Sequence, residues 1–151
     1  MIYLAADHRG FKLKEELKKY LLEQGFETED VGAFEYDKED DYVDFAREAS
    51  EKIAESPSLY KGIFVCGSGH GMDMVANKFK GIRAALVFNR GVAAQSREHE
   101  DANVLVLASD WLEETEAKDL VTVWLGKSFG GAERNIRRLN KIREIEEHNF
   151  R

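Results

Sequence analysis

The strongest constraint on what this chain can fold into is an alternation: short apolar runs recur along it, each followed by a stretch whose apolar residues fall at helical spacing. Residues 2–6 form the first run, and the helix expected over 14–24 continues from it with Leu13, Leu17, Tyr20 and Leu21 on one face. Gly25 ends that helix, 26–31 read as a second strand, and 43–54 form a helix with Phe45, Ala46, Ala49 and Ile53 on one side. Runs at 62–66, 82–88 and 103–108 then alternate with helices over 72–78, 91–98 and 113–125. A strongly charged helix follows over 132–148.

Short apolar strands separated by helices predict a parallel sheet covered on both faces. The expected architecture is a doubly wound, Rossmann-like α/β three-layer sandwich with a five-stranded parallel sheet and a protruding C-terminal helix. At 151 residues without repeats or linkers, the chain is expected to form one domain over 1–151. In such sheets ligands bind beyond the carboxyl ends of the strands. Asp7, His8, the segment 66–71, Asn89, Arg90 and His99 follow strands or the short helix after one, so they are expected on a single rim.

A formal net charge of -7, from 22 basic and 29 acidic residues, argues against an electrostatic grip on nucleic acid or an anionic membrane. Any anionic ligand must be held by a local cluster. The first residues lack a basic n-region, and no apolar run approaches the roughly 18 residues of a membrane span. A soluble cytoplasmic protein is expected, its lone cysteine unable to form an internal bridge and kept reduced.

That cysteine, Cys66, ends the apolar run 62–66 and opens into Gly67-Ser68-Gly69-His70-Gly71. A thiol beside a glycine-rich turn, with backbone N–H groups and a following helix, is suited to proton abstraction next to an anion hole. The bland alternative is a core cysteine at a strand end. The spacing is G-x-G-x-G rather than G-x-G-x-x-G, and Phe88 and Asn89 stand where a dinucleotide site would need an acid, so NAD is discounted. A cysteine phosphatase loop would need arginine at position 72, which is Met72. His8, His70, His99 and Cys66 match none of the compact zinc spacings, so no metal is expected. Asp7 reads equally as a helix cap, His99 lies in a charge run, and Arg134 and Arg138, four apart on one helix face, either clamp a phosphate or pair with Glu133 and Glu144.

Taken together, several segments resemble the sugar-phosphate isomerase family that includes ribose-5-phosphate isomerase B and the galactose-6-phosphate isomerase subunits. These are 6–14 (Ala-Asp-His-Arg-Gly-Phe-Lys-Leu-Lys), 66–69 with 76–78, 81–84, and His99 followed by 101–105. The resemblance covers nearly the whole chain and implies an aldose–ketose isomerase of carbohydrate metabolism, in the pentose phosphate pathway. It implies that Cys66 moves a proton between C2 and C1 of an open-chain sugar phosphate through a cis-enediolate, assisted by Ser68. Backbone N–H groups from Gly67 to Gly71 would hold the enediolate, His99 would open the furanose ring, and Asp7 and His8 would hold hydroxyls. It further implies a homodimer with shared active sites, with association into a tetramer left open, and neither metal nor organic cofactor.

The chain departs from the family pattern at the substrate. Glu100 stands where an asparagine usually follows the histidine, and Asp110 where an arginine of the phosphate site is common. His70 and Asp73 replace an apolar residue and a serine, and Val43 replaces a proline after Tyr42. His70, Glu100, Asp110, Arg134 and Arg138 are therefore grouped with the substrate-binding residues. The two acids motivate alternatives: an isomerase with a shifted substrate, or a non-catalytic sugar-phosphate-binding or regulatory homologue.

Overall fold

A computed structural model describes residues 1–150. Five strands, β1 (Ile2–Ala6), β2 (Thr28–Asp30), β3 (Lys61–Cys66), β4 (Ala84–Leu86) and β5 (Val104–Ala108), form one sheet in the order β2-β1-β3-β5-β4. Every pairing is parallel, with Ala6 beside Val65 and Cys66 beside Ala108 at the carboxyl ends. Parallel strands must be joined by crossovers, and six helices accompany them: α1 (Phe11–Glu23), α2 (Tyr42–Ala54), α3 (His70–Ala76), α4 (Arg90–Glu98), α5 (Glu114–Leu125) and α6 (Glu133–Asn149).

The three central strands β1, β3 and β5 are buried on both faces, which is why they read as apolar runs rather than as alternations, while the edge strands β2 and β4 are only partly buried. On one face Leu13, Leu17 and Leu21 of α1, Ala93 of α4, and Ala117, Leu120, Val121 and Trp124 of α5 pack against Leu4, Ile63, Val65, Leu105 and Leu107. On the other, Ala46, Ala49 and Ile53 of α2 and Met72 and Ala76 of α3 pack against Tyr3, Ala5, Phe64, Val104 and Val106. This is the doubly wound three-layer sandwich expected, and α6 stands outside it with Asn135 as its only buried residue. The edge strands β2 and β4 have three residues each, shorter than the apolar runs 26–31 and 82–88 suggested. Each has one neighbour to pair with, so pairing stops where β1 or β5 no longer matches it.

Successive connections leave β1 toward β2 and return to β3 on its other side. The sheet therefore changes winding direction between β1 and β3, and a crevice opens beyond Ala6 and Cys66. The loop after β1 is drawn tightly onto β3 there. A side chain at Gly10 would collide with the Val65 carbonyl, a backbone group that cannot rotate away.

The loop after β2 is anchored by a buried charge. Lys14 of α1 is fully buried, and its ammonium donates to both carboxylate oxygens of Asp30 at 2.6 and 2.7 Å and to Glu15 at 2.9 Å. Asp30 also accepts from the Gly32 N–H at 3.0 Å, which fixes the path of the chain as it leaves the sheet.

Candidate active site at the carboxyl ends of β1 and β3

Cys66 is the last residue of β3, 4% exposed, with Asp7 across from it after β1. Gly69 turns the chain into α3 with φ +79, a left-handed conformation that glycine adopts without a Cβ penalty. This turn leaves the N–H groups of Met72, Gly69 and Gly71 near enough to the Cys66 sulfur to favour its thiolate. Burial pushes the thiol up; the Met72 N–H pulls it down, the negative Asp7 pushes it up again, and the other two N–H groups oppose that rise, with the net direction upward. The thiolate is thus costly in this buried site, and the neighbouring backbone N–H groups offset part of that cost.

Asp7 is buried, and one of its oxygens accepts the N–H groups of Arg9 at 3.1 Å and Gly10 at 3.0 Å. Burial raises its carboxyl above the usual range, against the lowering effect of the Gly10 N–H and of His8. His8 is held from a different element. Its Nδ1 lies 2.6 Å from Asp40 Oδ1, which also accepts the His8 N–H at 3.0 Å. The Arg9 guanidinium lies over Gly67, where a Cβ would come within 2.6 Å of Cζ, and it is ion-paired with Asp110. Ser109 closes this corner, its hydroxyl donating to the carbonyls of Arg9 at 2.9 Å and Cys66 at 3.2 Å. On the α2 side, the Tyr42 ring covers Gly71 in the same way. Ser68 is half-buried in the turn, and His70 is exposed at the start of α3 beside Asp73, whose carboxyl burial raises and His70 lowers.

Of the residues singled out from sequence, the structure gathers Asp7, His8, Cys66, Gly67, Ser68, Gly69, His70, Gly71 and Asp110 at this rim. It does not place His99 there. His99 caps the carboxyl end of α4, and a crossover helix returns the chain to the amino ends of the strands before the next strand begins. Glu100 lies at that far end too, its carbonyl accepting from Arg83 Nε at 2.9 Å just before β4. Arg134 and Arg138 follow: the N–H of Gly130 donates to the Glu98 carbonyl at 3.0 Å as the chain enters α6, and Glu146 near the other end of α6 accepts from the Gly81 N–H at 3.1 Å. The expectation of one rim is corrected for His99. Strands of five or six residues separate the two groups by about 15 to 20 Å within a subunit.

From sequence alone no role falls to Asp40, to Arg9 or to the N–H of Met72, and Tyr42 stands out only as the residue before Val43. Arg9 stood within the run Asp7-His8-Arg9-Gly10, but no local pattern ties it to Asp110, 101 residues away. Among the described residues no group of three or more His, Cys, Asp or Glu side chains is placed to hold a metal ion, and no helix is long and apolar enough to cross a membrane.

The chain is similar to known proteins along most of its length. Residues 2–142 match the family described as Ribose/Galactose Isomerase. A probable ribose-5-phosphate isomerase B of Mycoplasma genitalium is 39% identical over 141 residues, covering 93% of this chain and 92% of that protein. Ribose-5-phosphate isomerase B of Mycobacterium tuberculosis is 34% identical over 145 residues, covering 96% and 89%. Among solved structures, ribose-5-phosphate isomerase B from Mycoplasma genitalium with bound ribulose-5-phosphate superposes with a TM-score of 0.94 at 38% identity, covering 97% of this chain and 95% of that one.

Proposed function

Since this chain belongs to the ribose/galactose isomerase family, we infer that it is an aldose–ketose isomerase of sugar phosphates, and that ribose 5-phosphate and ribulose 5-phosphate are its substrate pair. The observation that carries the chemistry is the buried Cys66 thiol beneath the N–H groups of Gly69, Gly71 and Met72. The Cys66 thiolate takes the proton from C2 of the open-chain aldose and returns it to C1. A proton meanwhile passes from the C2 hydroxyl to the C1 oxygen, so the aldehyde becomes a hydroxymethyl group and C2 a carbonyl. Ser68 assists at these oxygens, and the N–H groups of the 67–71 turn that remain free of the sulfur face the enediolate. Asp7 and His8 hold sugar hydroxyls.

The ring-opening histidine His99, with Glu100, and the phosphate-binding arginines Arg134 and Arg138 reach this cleft from a second copy of the chain. What supports the shared site is their separation from Cys66 within one subunit; a homodimer with two such sites completes both at once. Asp110 adds less negative charge to the phosphate end than its sequence position suggested, because Arg9 is paired with it. That pairing weakens the electrostatic objection that Asp110 raised against a phosphorylated substrate.

Replacement of the base tests the reading. Cys66→Ala is expected to lose turnover of ribose 5-phosphate and the exchange of its C2 proton with solvent deuterium, while keeping the melting temperature within a few degrees. Full activity in that variant would remove the mechanism.

A further inference from the structure

His8 and Asp40 form a dyad that the chemistry above does not require. They are 32 residues apart and belong to different loops, one after β1 and one after β2, so their meeting is a product of the fold. A single oxygen, Asp40 Oδ1, accepts both the His8 backbone N–H at 3.0 Å and the ring at Nδ1, 2.6 Å away. The Asp40 side chain is 9% exposed, and its second oxygen is buried without a donor from the protein. A carboxylate serving only to join two loops would sit poorly there, since the half-satisfied buried group costs stability. The Tyr36 ring meets the imidazole edge-on, with centroids 6.1 Å apart and planes at 84°, and limits its rotation further.

An ionised carboxylate only accepts hydrogen bonds, so the proton of the neutral imidazole resides on Nδ1 and the lone pair on Nε2. The His8 side chain keeps 24% of its surface open while its Nδ1 is engaged by the largely buried Asp40, which leaves Nε2 without a protein partner among the described residues. We propose that Asp40 is the positioning residue for His8, fixing the tautomer and ring plane in which Nε2 accepts a hydroxyl proton of the bound sugar phosphate. The same arrangement of carboxylate, imidazole and reacting hydroxyl serves in hydrolytic triads, where the carboxylate orients the ring without exchanging a proton itself. Here the hydroxyl belongs to the substrate, and the dyad acts on binding. Asp40 lies in the loop that leaves β2 beyond the Lys14–Asp30 pair.

This inference rests on the isomerase reading for the identity of the ligand, but its first measurement needs no ligand. Nitrogen-15 spectra of the His8 ring in the free protein are expected to show a protonated Nδ1 and a bare Nε2, changing to the Nε2–H form in Asp40→Ala. Asp40→Ala is expected to raise KM for ribose 5-phosphate about ten-fold while kcat stays within about two-fold, the signature of lost ground-state binding. Asp40→Asn keeps an acceptor at the same position and is expected to recover most of that loss. His8→Ala and the His8→Ala/Asp40→Ala pair are expected to share one KM, because the carboxylate acts only through the ring. A bare Nδ1 in the wild-type protein, or independent and multiplying losses in the double variant, would overturn the proposal. Should Cys66→Ala retain activity, the base assignment fails by itself, and the tautomer measurement still decides whether the dyad exists.

Discussion

The Cys66 thiol carries two opposed influences: burial and the Asp7 carboxylate push it up, and three backbone donors pull it down. With the net shift upward, the free enzyme holds a mostly neutral thiol at pH 7, and kcat/KM, which reports the free enzyme, is expected still to be rising with pH on the alkaline side of the ordinary thiol range. Asp7→Asn removes a negative charge opposing the thiolate, so the rising limb is expected to move to lower pH even as the maximum rate falls. A limb that stays in place would mean that Asp7 does not influence the thiol. Gly10 sets the other constraint on this corner, since a Cβ there meets the Val65 carbonyl. Gly10→Ala is expected to lower unfolding stability by about 2 kcal/mol or more, measurable by urea titration, because backbone must move against backbone. At this scale the sequence was informative where chemistry was local. Cys66 with its glycine turn could be recognised as a thiol beside backbone donors, whereas the Arg9–Asp110 and His8–Asp40 pairs join loops that only the folded sheet brings together.

Among the elements, α1 and β2 are tied by the Lys14–Asp30 pair, and through it the loop that carries Asp40 takes its path. Burial alone would raise the Asp30 carboxyl, but hydrogen bonds from Lys14, Lys18 and the Gly32 N–H outweigh it and hold the group below the usual range. A depressed carboxylate contributes stability that is fully present above its unfolded value, near about 3.9, and that is lost as pH falls through the folded value. Lys14→Met leaves Asp30 with Lys18 as its remaining cationic partner beside the Gly32 N–H and is expected to cost about 3 kcal/mol at pH 7. The gap between variant and wild type is expected to narrow under acid, as Asp30 is protonated in both. A constant gap from pH 7 to pH 2 would show that packing of the lysine stem, and not the ion pair, is what matters. The strands and helices themselves were legible because fully buried parallel strands leave continuous apolar runs and amphipathic helices leave a 3.6-residue period. The end of the sheet at which His99 falls was not. It follows α4 directly, and only the recognition that α4 spans the sheet back to the amino end of β5 moves it away from Cys66.

At the scale of the whole molecule, the separation of Cys66 from His99, Arg134 and Arg138 is the feature that governs function. One subunit offers the Cys66 thiol, the base of the proposed reaction, with its glycine turn at the carboxyl ends of the strands, and a histidine with two arginines toward the amino ends. In the proposed homodimer, two copies related by a two-fold axis would supply each half to the other, so a subunit defective in one half would still serve its partner with the other half. The most direct test mixes two inactive proteins, Cys66→Ala and His99→Ala, after dissociation and joint refolding. Random pairing makes about half of the dimers mixed, and each mixed dimer has one site with both residues intact, so the mixture is expected to recover about a quarter of wild-type activity. A mixture as inactive as its parents, under conditions where mass spectrometry shows that mixed dimers have formed, would contradict the shared site.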